Sequence, residues 1–67
     1  MIQITVNGNT RALERALDVA ALLAALQLAG KKVAVERNGE IVPRSAHDST
    51  MVANGDQLEI VVAVGGG

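Results

Sequence analysis

The stretch that decides the fold is Asn54-Gly55-Asp56-Gln57-Leu58-Glu59-Ile60-Val61-Val62-Ala63-Val64-Gly65-Gly66-Gly67. Leu58, Ile60, Val62 and Val64 recur at every second position and line one face of a strand. Glu59, Val61 and Ala63 fall on the other face. This is the most hydrophobic strand of the chain, apolar enough to sit in the centre of a sheet. The glycines that follow behave differently. Without Cβ atoms they take almost any backbone conformation, and extended they reach roughly 10 Å past the strand. Read as a free C-terminus, Gly65, Gly66 and Gly67 form a thin, flexible tail that carries one carboxylate. Such a tail suits a channel too narrow for other residues; the alternative is a terminus that simply frays.

Working back from that strand, the spacing Val19, Leu22, Leu23, Leu26 gives one apolar helical stripe, with alanines filling the other faces. Asp18 is placed to cap its N-terminus. Gly30 is read as its stop, with Lys31 and Lys32 just past the negative end, for a helix roughly 15 Å long. Before the helix, Ile2–Val6 alternates apolar and polar residues. Asn7-Gly8 then signals a type I′ hairpin into an edge strand over Thr10–Glu14. After the helix, Val33–Arg37 reads as a strand in which Ala34 or Val35 could each point inward. Asn38-Gly39 turns it into a short partner, Glu40-Ile41-Val42, ended by Pro43. Arg44–Val52 suits a loop with one helical turn, and Asn54-Gly55-Asp56 a third turn.

The order ββαββ-loop-β, with a central last strand and one helix that must cover a sheet face, specifies an α+β domain. It is the β-grasp, or ubiquitin-like, arrangement, a mixed sheet of about five strands. The domain is expected to span residues 1–64 and the tail 65–67.

Sixty-seven residues make one small core and leave too little chain to wrap a deep substrate pocket. Aromatic residues are absent, so the core has to come from Val, Ile, Leu, Ala and Met. There is no cysteine, hence neither a disulfide nor a thiol nucleophile. A net charge of −1 gives no electrostatic case for nucleic acid or an anionic membrane. No basic leader precedes Ile2 and no apolar run approaches a membrane span. The expectation is a soluble, cytoplasmic protein.

Residue chemistry within the domain is sparse. Ser45, His47, Asp48 and Ser49 bring three triad residue types together, but sequence neighbours rarely adopt triad geometry, and a solvated loop is expected. His47 is the single histidine and lacks a second metal-ligand type at useful spacing, so no metal site is expected. Gly8, Gly39 and Gly55 fit Asn-Gly turns, not a phosphate loop. Lys31 and Lys32 read as a helix-end charge pair or part of a docking rim. Glu59, Val61, Ala63 and Val64 are read as a partner interface, because apolar side chains on the open face of a one-helix domain adjoin the tail; the opposing reading is scattered exposed valines. The chain is therefore not expected to be an enzyme. Its distinctive group is the Gly67 carboxylate, which becomes reactive only when another protein activates it, typically as an acyl-adenylate. No nucleotide site is visible here.

Two segments, Asn38-Gly39-Glu40-Ile41-Val42-Pro43-Arg44-Ser45 and Asn54 to Gly67, together resemble the thiamine-biosynthesis sulfur carriers of the ThiS family. The likeness runs over the whole chain in length, element order and ending. It implies a β-grasp carrier with no cofactor of its own. Its terminal glycine is adenylated by an E1-like adenylyltransferase that uses ATP, then converted to a thiocarboxylate with sulfur from a cysteine desulfurase or similar donor. Thiazole synthase then takes the sulfur. By position, Gly67 is the sulfur-bearing end and Gly66 its approach. Two positions depart from the family's usual pattern: His47 stands where an aromatic residue is common, and Asn54 where Asp is common. The neighbouring readings are a carrier for molybdopterin or another sulfur pathway, and a ubiquitin-like protein modifier.

Overall fold

Two Asn-Gly turns set the hairpins in the computed structural model, which describes residues 1–63. Strands β1 (Ile2–Val6) and β2 (Asn9–Leu13) pair antiparallel from Ile2–Leu13 to Val6–Asn9. Between them Asn7 (φ 51°) and Gly8 (φ 84°) both take the positive φ that a type I′ turn demands. Strands β3 (Val33–Arg37) and β4 (Glu40–Val42) repeat the device around Asn38 and Gly39. The third Asn-Gly is of another kind. Only Gly55 has positive φ, at 88°, and the Asp56 N–H bonds the Ala53 carbonyl at 3.1 Å, as in a type II turn.

Strand β5 (Gln57–Val62) takes the centre of a five-stranded sheet ordered β2-β1-β5-β3-β4. It runs parallel to β1 and antiparallel to β3. The sheet is mixed and packs one face against a single helix, the β-grasp arrangement. Ile4, Val6, Val35, Val42, Leu58 and Ile60 point inward to meet Val19, Leu22 and Leu23 of the helix. The choice between Ala34 and Val35 is thereby made: Val35 lies across from Ile60 and is buried, and Ala34 is exposed. The expected methionine contribution fails. Met1 and Met51 are 88% and 53% exposed, and the buried core is Val, Ile and Leu alone.

The helix α1 (Val19–Ala25) begins as its sequence dictates. Asp18 accepts from the Ala21 N–H at 2.6 Å. The other early N–H groups, which lack intrahelical acceptors, donate to the connecting segment instead: Val19 to the Thr50 carbonyl and Ala20 to the His47 carbonyl, each at 2.9 Å. The end differs from expectation. The helix stops before Gly30, because Gln27 adopts the left-handed conformation (φ 62°). The Gln27 N–H bonds the Ala24 carbonyl at 3.0 Å and the Leu28 N–H bonds the Leu23 carbonyl at 2.8 Å, the paired bonds of a Schellman motif. The cause is burial, since reversing the chain here folds Leu28 back onto the core. Gly30 (φ 81°) serves the next turn, and Lys31 and Lys32 are no longer a helix-end charge pair.

The segment between β4 and β5 is less loop-like than its composition suggests. After a 3₁₀ turn at Arg44–Ala46 it crosses the helix N-terminus, where Val52 is fully buried and its N–H bonds the Leu17 carbonyl at 2.8 Å. It ends on Asp56, 7% exposed. The Asp56 carboxylate accepts from Arg37 Nε at 2.7 Å, the Ala53 N–H at 2.8 Å and Asn38 Nδ2 at 3.0 Å. Burial raises its pKa, but the Ala53, Asn38 and Arg37 bonds and the guanidinium charge outweigh it and hold the carboxyl below its ordinary value. Asp56 thus fastens both adjacent turns to the start of β5.

Candidate functional site: the root of the C-terminal tail

The end of β5 remote from Asp56 leads to the glycines. Its last pairings are Ala34–Val61 and Val33–Val62. The Ala63 N–H then bonds the Lys32 carbonyl at 2.9 Å, so β3 holds the chain up to the tail root. Val64, Gly65, Gly66 and Gly67, and with them the expected domain boundary, lie outside the described residues.

On its other side β5 loses its neighbour early. The β1–β5 pairing ends at Val6–Leu58, with the Asn7 N–H on the Leu58 carbonyl at 2.9 Å, and the chain turns away at Gly8. The Asn7 side chain then takes over the ladder. Its Nδ2 donates to the Ile60 carbonyl at 3.0 Å and its Oδ1 accepts the Ile60 N–H at 2.8 Å. A side-chain amide matches a peptide unit in donor and acceptor, so one residue both forms the turn and extends the sheet. The Asn-Gly signal revealed the turn; nothing in one sequence showed the clamp.

The sheet face away from the helix carries the residues expected there. Glu59, Val61 and Ala63 are exposed, Val61 by 63%. Around them the pairing places Ala34 opposite Val61, and Glu36 opposite both Glu59 and Ile41. Ile41 is 65% exposed. The alternation of β5 pointed to its own outward residues, but Glu36 and Ile41 joined them only once strand order and register were known.

The other singled-out residues do not converge. Ser45, Asp48 and Ser49 are exposed, and the Ser49 hydroxyl donates to the Ala46 carbonyl at 3.3 Å. His47 departs from the solvated loop expected of it: it is 8% exposed, its Nε2 3.1 Å from the Val42 carbonyl. It fills interior space beneath the 3₁₀ turn and caps a β4 carbonyl. Asn54 Oδ1 accepts the Gln3 backbone N–H at 2.8 Å, a side-chain acceptor role that Asp would fill as well. Among the described residues no three His, Cys, Asp or Glu side chains are grouped to hold a metal, and no helix is long and apolar enough to cross a membrane. Two grooves share Leu28 in their linings. One, of about 360 Å³, is lined by Leu23, Val33, Lys31, Arg44 and His47 among others. The other, of about 280 Å³, is lined by Asn7, Arg11, Leu26, Ile60 and Val62 among others.

These features define a small β-grasp domain whose central strand continues in sequence into a glycine end. The ThiS family model matches residues 4–67. A thiamine biosynthesis protein, ThiS, from Geobacter metallireducens is 40% identical. Its crystal structure superposes with a TM-score of 0.84 over 98% of this chain and 100% of that one. The uncharacterized protein ycf40 of Pyropia yezoensis is 33% identical over 98% of this chain and 93% of its own length. The thiazole synthase of Paramagnetospirillum magneticum is 46% identical over 98% of this chain, which spans only 20% of that relative's length. The chain belongs to the ThiS family.

Proposed function

We propose that the chain is a sulfur carrier in thiamine biosynthesis, a co-substrate of other enzymes and not itself a catalyst. One observation carries the reading: the ThiS family model matches residues 4–67, a span that includes the central strand and the glycines that follow it in sequence. In this reading an oxygen of the Gly67 carboxylate attacks the α-phosphorus of ATP on an E1-like adenylyltransferase and pyrophosphate leaves. Activation is needed because a carboxylate's delocalised charge and poor leaving group resist nucleophiles. The terminal sulfur of a persulfide on a cysteine desulfurase or similar donor then displaces AMP from the acyl carbon to give an acyl disulfide. A second thiol attacks the donor's own sulfur, releasing the thiocarboxylate and leaving a disulfide on the donor side. Thiazole synthase receives the sulfur, a link supported by the names of two relatives. ATP belongs to the partner, and this chain is given no cofactor.

The domain's part is mechanical. Packing and the Asp56 and Asn7 clamps hold β5 in place from Gln57 to Val62. The open face around Glu59, Val61 and Ala63 is the surface the partner meets, its apolar centre edged by carboxylates. The test is intact mass after incubation with the adenylating enzyme, ATP and a sulfur donor. One oxygen should be exchanged for sulfur in the full chain and none in a chain lacking Gly67. Failure of exchange in the full chain ends the proposal. The same measurement on protein taken from cells shows whether Gly67 carries a free carboxylate there.

A further inference from the structure

We infer that the lane beside Val62, left vacant where β1 turns away, receives an extended segment of the protein that handles the tail, by addition of a strand to β5. This deepens the carrier reading and rests on it, because it supplies the contact that would aim the tail. The argument is one of alternation. In a strand, successive residues direct their N–H and C=O groups to opposite neighbours. The Leu58 carbonyl and both Ile60 groups point toward β1, where Asn7 meets them. The Gln57 carbonyl and the Ala63 N–H point toward β3 and its flanks, meeting Asn38 and Lys32. Val62 is even-numbered like Leu58 and Ile60, so its N–H and C=O face the β1 lane. Among the described residues that lane ends with the Asn7 side chain.

An internal strand thus becomes an edge for its final residue, with one donor and one acceptor for a partner's main chain. The vacancy adjoins the groove of about 280 Å³ lined by Val62, Ile60, Leu26 and Leu28, with Arg11 at its rim. Arg11 lies across from the inward-facing Ile4 in the β1–β2 register, which places it on the helix side of the sheet. The incoming segment should therefore present an apolar side chain to the groove and a carboxylate within reach of Arg11. Such a segment would anchor β5 on both flanks at Val62, fixing the last rung of the strand's ladder against the partner.

The experiment uses the full chain with N-methylvaline at position 62, made by chemical synthesis, and Val62→Thr as a side-chain control that keeps the N–H. In the free chain the Val62 amide should exchange far faster than that of Val61, which is bonded to β3; equal protection means the lane is closed and overturns the inference. The amide should gain protection in complex with the adenylating enzyme or the thiazole synthase of the same organism. N-methylation should weaken that complex about two- to tenfold, the worth of one hydrogen bond, and by more than Val62→Thr, which alters the groove-lining side chain but keeps the N–H. An unprotected Val62 in both complexes, or unchanged affinity after N-methylation, refutes strand addition. Protection without any exchange of oxygen for sulfur refutes the carrier reading and leaves the lane standing.

Discussion

Replacing Asp56 by Ala should destabilise the domain more than any other single change outside the hydrophobic core, by about 2–4 kcal/mol. The figure follows from its three donors. Hydrogen bonds to a charged group contribute about 1.5–3 kcal/mol each. The Ala53 N–H is fixed in its turn and loses the full value. Arg37 and Asn38 are side chains that can swing toward water, so each loses less, and the Arg37 ion pair is further discounted because Arg37 is 33% exposed. A domain of this size has about 3–10 kcal/mol in all, so the midpoint of thermal unfolding should fall by about 10–25 °C. Because the folded-state pKa is depressed, the charge contribution is fully present above the ordinary carboxylate value and is lost as pH falls through the lowered one. Urea titrations at neutral pH and at successively lower pH should show the wild-type advantage over D56A shrinking through that acid range. An advantage independent of pH would mean that Asp56 acts by packing, and the account of the clamp would be wrong.

Gln27→Gly should stabilise by about 0.5–1 kcal/mol, since Gln carries the left-handed strain that Gly avoids, less the backbone entropy Gly adds; a lower urea midpoint would contradict the Schellman assignment. Leu22→Ala, deep in the core, should cost about 2–4 kcal/mol by equilibrium unfolding. Val61→Asp should leave the urea midpoint within about 0.5 kcal/mol of wild type and reduce affinity for the adenylating enzyme; unchanged affinity would remove the open face from the proposed interface.

What the sequence revealed and what it hid divide along range of interaction. The two type I′ turns were legible because Asn-Gly fixes a local backbone state, and the Asp18 cap because it acts within three residues. The central place of β5 was legible from its hydrophobicity. The helix end was not, because Gly30 is the better local stop and Gln27 wins only through the burial of Leu28, a tertiary effect. Val52 was hidden for a similar reason: between Met51 and Ala53 it follows no period that marks it out, and its burial depends on the segment crossing α1. At the site, the outward face of β5 followed from alternation. The Asn7 clamp joins residues far apart in sequence and needs the strand order to be seen.

That strand order also exposes a choice the sheet makes against its own stability. Glu36 and Glu59 are directly opposite on the open face, and like charges in that position are destabilising, by about 0.2–1 kcal/mol. Glu36→Lys turns the repulsion into an attraction and should raise stability by about 0.5–1 kcal/mol, measured as a higher urea midpoint that shrinks in molar salt. If the acidic pair is kept for a cationic partner surface, the same variant should bind the adenylating enzyme more weakly, and the binding defect should also fade with salt. A variant that is both more stable and equally well bound would show the pair to be incidental, and would leave Val61 and its apolar neighbours as the face's contribution to docking.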